Sequence, residues 1–147
     1  MSSTGRELMT RFVQAMDTLD VMALEGLFHP DYVGEYPQSR ERFRGFTAFR
    51  AQLERFPGGP PAGDAVPEPP VIFGDDERWA ITPGYTVVPL TGPDRYTTVV
   101  RARYADGTLW HNITIIEVRD ELIWRTTTYF APEFERPAWR KGLTELY

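Results

Sequence analysis

Two side chains in this sequence have the chemistry to move a proton on a small molecule, His111 and Glu35. An imidazole titrates near neutral pH, so one facing a pocket can take or give a proton. Glu35 stands in Tyr32-Val33-Gly34-Glu35-Tyr36, near Phe43. Apolar surroundings there would raise its pKa and make it a general base. Each also has a plain structural reading. His111 would be a neutral core histidine bonded to Tyr104 or a backbone carbonyl, and Glu35 a solvent-facing partner of Arg40 or Arg42. Around these two, Tyr32, Tyr36, Tyr85, Tyr104, Trp124, Thr126, Thr128 and Phe130 form the candidate substrate-binding set. Hydroxyls orient a carbonyl and rings supply apolar wall, although aromatics also serve as packing. Gln38 and Asn112 are polar positioners at best.

Other chemistries lack their residues. The chain has no cysteine, two histidines and no histidine/carboxylate cluster at metal-ligand spacing. It has no GxGxxG, phosphate loop, HExxH or GxSxG. His29 precedes Pro30 at an expected helix end, where a capping role suits it better than ligation. No metal and no cofactor is expected. A net charge of −5 without a basic run argues against nucleic acid. No run approaches the ~18 apolar residues of a membrane span, and the start, Met1 to Met9, lacks a signal-peptide core. A cytoplasmic protein is expected. The 147 residues, 41% hydrophobic and 25% charged, fit one domain over 1–147.

The stretch from Arg95 to Ala131 must position these groups, and it reads as three strands joined at Asp106-Gly107 and Asp120-Glu121. Taking both as two-residue turns sets the register. Tyr104 then opposes Leu109, Ala102 opposes His111, and His111 opposes Phe130. The inner face would carry His111, Ile113 and Ile115 with Tyr104, Trp124, Thr126, Thr128 and Phe130. The outer face would carry Asn112 and Thr114 with Arg101, Arg103, Arg125 and Tyr129, a composition suited to solvent or a subunit contact.

Ahead of it, residues 4–19 read as a helix with Leu8, Phe12, Ala15, Met16 and Leu19 on one stripe. Asp20 caps a short second helix that His29-Pro30 ends. Tyr32 to Tyr36 is extended, and a third helix covers about 46–56. Residues 57–70 hold six of the thirteen prolines and read as an exposed rim or lid. Strands are expected at Val71–Phe73 and about Arg78–Leu90, the latter bulged or near an edge because of Pro83 and Pro89. A turn follows at Thr91 to Asp94. Pro137 starts a short C-terminal helix anchored by Trp139 and Leu143. Helices first and antiparallel strands after give an α+β chain, with a curved sheet wrapped around the N-terminal helices.

The order of these elements resembles the nuclear transport factor 2-like superfamily, in particular its SnoaL-like polyketide cyclase group. The resemblance rests on Ala23-Leu24-Glu25-Gly26-Leu27-Phe28-His29-Pro30-Asp31-Tyr32, on Arg44-Gly45-Phe46, and on Ile123-Trp124-Arg125-Thr126-Thr127-Thr128-Tyr129-Phe130-Ala131-Pro132. It implies a cone-shaped barrel, a deep pocket for an apolar small molecule, and a homodimer packed through the outer sheet face. It also implies a cofactor-independent isomerase, cyclase, dehydratase or hydrolase acting on a cyclic or polyketide-like substrate. The alternative is a non-catalytic binding domain for a hydrophobic ligand. Catalytic members often carry Arg-Glu-Tyr-Phe-Asp in the last strand, whereas here Thr128 and Ala131 replace both acids.

Overall fold

The computed structural model describes residues 3–63, 79–82, 85–89 and 94–147, with backbone alone for 3–4, 79–82 and 85–89. The expected strand Val71–Phe73 and most of the Thr91 to Asp94 turn lie outside these residues. Among the described residues, three α-helices, α1 (Ser3–Thr18), α2 (Val21–Glu25) and α3 (Phe46–Arg55), accompany eight strands. These are β1 (Phe28–Tyr36), β2 (Glu41–Arg44), β3 (Ala62–Gly63), β4 (Trp79–Thr82), β5 (Tyr85–Pro89), β6 (Arg95–Arg103), β7 (Leu109–Arg119) and β8 (Leu122–Pro132).

The strand order is β2-β1-β8-β7-β6-β5-β4, and β3 adds to β6 beyond the end of β5. Every pair is antiparallel except β1 with β8. Strand β1 has β2, the next strand in the chain, on one side and β8, the last, on the other. The fold is therefore α+β, with a curved, unclosed sheet whose concave side holds the helices.

Of the expected α1 stripe, Leu8, Phe12 and Ala15 are buried and Met16 packs against them, whereas Leu19 lies past the helix end at φ +53° and is 43% exposed. Leu8, Met9, Phe12, Val13 and Ala15 pack with Leu24, Leu27, Phe28, Tyr32, Tyr96, Ile116 and Ile123. Asp20 caps α2, its carboxylate accepting from the Ala23 N–H at 3.1 Å. Pro30 does not end the helical region as expected. Strand β1 already starts at Phe28, and its pairing with β8 is interrupted between Phe28 and Val33, where a residue without an N–H does no harm. Residues expected as one strand over 78–90 form two antiparallel strands at the sheet edge, β4 and β5. The expected C-terminal helix is a single 3-10 turn, Ala138–Arg140, and its proposed anchors Trp139 and Leu143 are exposed.

The β6–β7 register differs from expectation by one residue. The Tyr104 N–H donates to the Thr108 carbonyl and the Gly107 N–H to the Tyr104 carbonyl, so the loop is three residues, Ala105-Asp106-Gly107. Gly107 adopts φ +86°, the left-handed position that such a loop requires. Arg101 therefore opposes His111, and Val100 opposes Asn112. The second turn is two residues, as expected, with Asp120 and Glu121 both at positive φ. A bulge follows it, however. Val118 opposes Ile123 but Glu117 opposes Arg125, which leaves Trp124 as the extra residue. The two one-residue shifts cancel for β8 and leave β7 alone reversed.

Gly34 opposes Phe43 across β1 and β2, and a Cβ at Gly34 would land on the Phe43 ring. That ring is itself held between Tyr32 and Tyr36, with centroids 6.0 and 5.1 Å away. Gly34→Ala is expected to destabilise the fold by about 1–3 kcal/mol through overpacking. A urea midpoint equal to that of the wild type would show that Phe43 swings aside freely.

Candidate functional site

A cavity of about 180 Å³ opens between the helices and the concave side of the sheet. Its apolar wall comes from Phe12 and Met16 of α1, Phe49 and Leu53 of α3, and Phe43 and Phe130 of the sheet. Phe56, Pro60 and Pro61 form one side of its rim, so the proline-rich connection does reach the mouth.

Polar groups enter this wall as hydrogen-bonded pairs. The Tyr36 hydroxyl donates to Gln52 Oε1 at 2.6 Å, and Gln52 Nε2 donates to the Ala48 carbonyl at 3.3 Å. Asn112 Nδ2 donates to the Tyr104 oxygen at 3.1 Å. Thr98, Thr114 and Thr128 occupy paired positions across β6, β7 and β8, and the last two share a hydroxyl bond of 3.0 Å. Beneath them Tyr32 bonds Thr126 at 2.6 Å. Among the described lining residues, the Tyr36 and Tyr104 phenols are the only titratable groups.

Burial dominates their electrostatics. Desolvation pushes Tyr36 up to about 12, with Glu41 and Tyr104 adding to the effect. Tyr104 is raised by burial, partly offset by its bond to Asn112. Tyr32 is raised further still, again by burial. All remain neutral phenols at physiological pH.

The residues singled out from the sequence divide by position. Tyr36, Tyr104, Thr126, Thr128 and Phe130 stand on the cavity wall. Tyr32 is 1% exposed and lies behind the wall, where it bonds Thr126 and packs on Phe43 and Phe49. Trp124, at the bulge, leaves the concave face and meets the Arg119 and Arg125 guanidiniums over its ring, at 4.9 and 4.5 Å. Tyr85 begins β5 opposite Val100, and its side chain lies outside the described residues.

Neither proton-transfer candidate reaches the cavity. His111 is on the convex face, where it meets Glu133 at 3.3 Å beside Arg101, because the three-residue loop turns β7 over. Glu35 alternates out of the wall between Gly34 and Tyr36 and faces Arg42 at 3.6 Å. Its side chain is 40% exposed there.

Asn112 and Thr114, expected outside, are inside for the same reason that His111 is not. Gln52 was missed altogether. Its signal was present, since it lies three residues after Phe49 and one before Leu53, on the apolar stripe of α3. Among the described residues no group of three or more His, Asp or Glu side chains could hold a metal ion. No described helix is long and apolar enough to cross a membrane.

The model of the SnoaL-like domain family matches residues 9–126. An NTF-2 like protein of unknown function from Burkholderia xenovorans superposes with a TM-score of 0.70 at 25% identity, over 98% of this chain and 95% of that one. A Kribbella flavida protein provisionally named a ketosteroid isomerase gives 0.68 at 17% identity, over 99% and 91%. An epoxide hydrolase of the LEH-like kind from M. tuberculosis gives 0.51 at 15% identity, over 88% and 84%. At such identities the last two speak to the fold alone. No curated protein matches the sequence significantly.

A free tyrosine ionises near pH 10, whereas Tyr36 in the folded chain holds its proton to about 12. Between those values the unfolded chain binds fewer protons, so the stability linked to Tyr36 is full below pH 10 and lost as pH rises through 12. Tyr36→Phe should therefore flatten the alkaline decline of stability, measured by denaturation midpoints across that window. Equal slopes for the two proteins would contradict the burial of this phenol.

Proposed function

The chain belongs to the SnoaL-like domain family, and from that premise we propose that it binds an uncharged, largely apolar cyclic small molecule in the cavity. One observation carries the reading. The described lining consists of aromatic and aliphatic carbon, two phenols, two amides and threonine hydroxyls, with no carboxylate, imidazole, ammonium or guanidinium. A charged ligand would lose its hydration there without gaining a counter-charge, a cost of several kcal/mol. A neutral ring loses little and buries its faces against Phe12, Phe49 and Phe130.

Catalysis is the second reading, and the two phenols at one cavity favour it. In it the protein is a cofactor-independent isomerase, cyclase or hydrolase of an apolar, polyketide-like substrate. The phenols would hydrogen-bond a carbonyl or epoxide oxygen as negative charge develops on it. Names borne by relatives of the same fold, isomerase and epoxide hydrolase, agree with that chemistry. The base would have to come from outside the set of groups described above, because Glu35 and His111 face the other side of the sheet.

The test compares acetophenone with benzoate by titration calorimetry at neutral pH. Acetophenone should bind at least tenfold more tightly, and Ala102→Phe, which fills the cavity from β6, should abolish that binding while far-ultraviolet circular dichroism stays native. Equal affinities, or acetophenone binding that survives the filled cavity, would refute the reading.

We infer in addition that the convex face is a homodimer interface. Ile113 and Tyr129 are cross-strand partners at its centre, 37% and 42% exposed. Ion pairs flank them, Arg101–Glu133–His111 towards one end and Arg95–Glu117 at the other. An apolar centre with a charged rim is the composition of an interface. Sedimentation equilibrium at micromolar concentration should give a dimer, and Ile113→Glu should give a monomer. A monomeric wild type would remove the inference.

A further inference from the structure

The polar pairs in the cavity differ in what they leave available. At Tyr36 the phenol proton is committed to Gln52 Oε1 at 2.6 Å, and one Gln52 N–H is committed to the Ala48 carbonyl. What Tyr36 still presents is its oxygen, which can accept a second bond. At Tyr104 the sense is reversed. The phenol oxygen already accepts from Asn112 Nδ2 at 3.1 Å. The return contact from the Tyr104 hydroxyl to Asn112 Oδ1 is 3.5 Å, at the limit of what counts as a bond. The Tyr104 proton is therefore the group best placed to turn to a ligand, and accepting from an amide makes it a stronger donor.

Both phenols border the same cavity, and they are close enough that the charge of one opposes ionisation of the other. Rings fix their positions. Phe130 packs edge-on to Tyr36 at 5.2 Å, while Phe56 and Trp110 pack on Tyr104 at 5.6 and 5.2 Å. The two stations are thus built on packed side chains and cannot easily exchange roles.

We propose that the cavity selects an uncharged cyclic hydroxy-ketone, its carbonyl taken by Tyr104 beside Asn112 and its hydroxyl given to Tyr36 beside Gln52. This rests on the reading of the cavity as a neutral binding site and adds its polarity pattern. A simple hydrocarbon satisfies the walls but leaves both stations unused. A diketone meets one donor and one acceptor, and so fits only one end.

The test uses five probes of similar size: ethylbenzene, acetophenone, para-ethylphenol, and the meta and para isomers of hydroxyacetophenone. Affinities are measured by titration calorimetry at mildly acidic pH for the wild type, Tyr104→Phe, Asn112→Leu and Tyr36→Phe. Tyr104→Phe and Asn112→Leu should each weaken acetophenone roughly three- to tenfold, the range of one net hydrogen bond, and leave para-ethylphenol unchanged. Tyr36→Phe should weaken para-ethylphenol by a similar factor and leave acetophenone unchanged. At least one hydroxyacetophenone isomer should be weakened by all three. Ethylbenzene should bind every variant alike, which shows that the cavity is intact. If the ketone and phenol losses appear at the opposite tyrosines, or at neither, the assignment is overturned while the neutral cavity stands. If no probe binds the wild type, the binding reading falls and this assignment falls with it.

Discussion

The site depends on the register of one strand. Alternation along β7 means that a slip of a single residue exchanges Asn112, Thr114 and Ile116 for His111, Ile113 and Ile115 on the concave side. The observed register gives the cavity an amide and a hydroxyl, and gives the core the fully buried Ile116. It gives the convex face the imidazole and two isoleucines. Asp106 stabilises the loop that sets this choice, its carboxylate accepting from both the backbone N–H and the hydroxyl of Thr108. Gly107 supplies the left-handed residue. Without that extra loop residue the cavity would contain an imidazole and far more aliphatic surface.

The far end of β7 is fixed by different means. Asp120 and Glu121 occupy left-handed conformations that cost a non-glycine residue about 1 kcal/mol or more each. His29 offsets part of this by reaching Asp120 at 3.2 Å from β1, while its other ring nitrogen accepts from the Asp31 N–H at 3.0 Å. The second bond assigns the proton to the nitrogen that faces Asp120. The same histidine therefore ties the β7–β8 hairpin to the start of β1, across the interrupted part of the β1–β8 ladder. The bulge at Trp124 then restores Thr126, Thr128 and Phe130 to the concave side.

How much of this could be read from the sequence follows from which rule each element obeys. The stripes of α1 and α3, the Asp20 cap and the strands beginning at Arg95 are local patterns, and they were legible. So were the cavity-facing positions of β6 and, Trp124 apart, those of β8, where the loop and bulge errors are equal and opposite. What escaped was β7, since Asp-Gly signals a two-residue turn and a three-residue one equally well, and no pattern in Val118 to Arg125 announces a bulge. Strand β1 extends beyond its legible part because Pro30 reads locally as a terminator, and no local pattern announces β2. His111 drew attention for its chemistry, yet its neighbours on the convex face, Arg101 and Glu133, come from β6 and from just beyond β8. That contact is visible only once three strands are in register.

The chemistry of the cavity follows from satisfying its polar groups before any ligand arrives. A phenol or amide left unpaired against Phe43, Phe49 and Phe130 would cost about 1–3 kcal/mol, and here the named pairs avoid that cost. An apolar wall can therefore hold polar groups without destabilising the fold. The pairing also sets what a ligand must offer. Tyr36 and Tyr104 are not blank hydrogen-bonding sites that adapt to any partner, because Gln52 and Asn112 have already decided which proton or lone pair remains. Selectivity in such a site resides in the second residue of each pair, which need not touch the ligand strongly to determine what the first can accept.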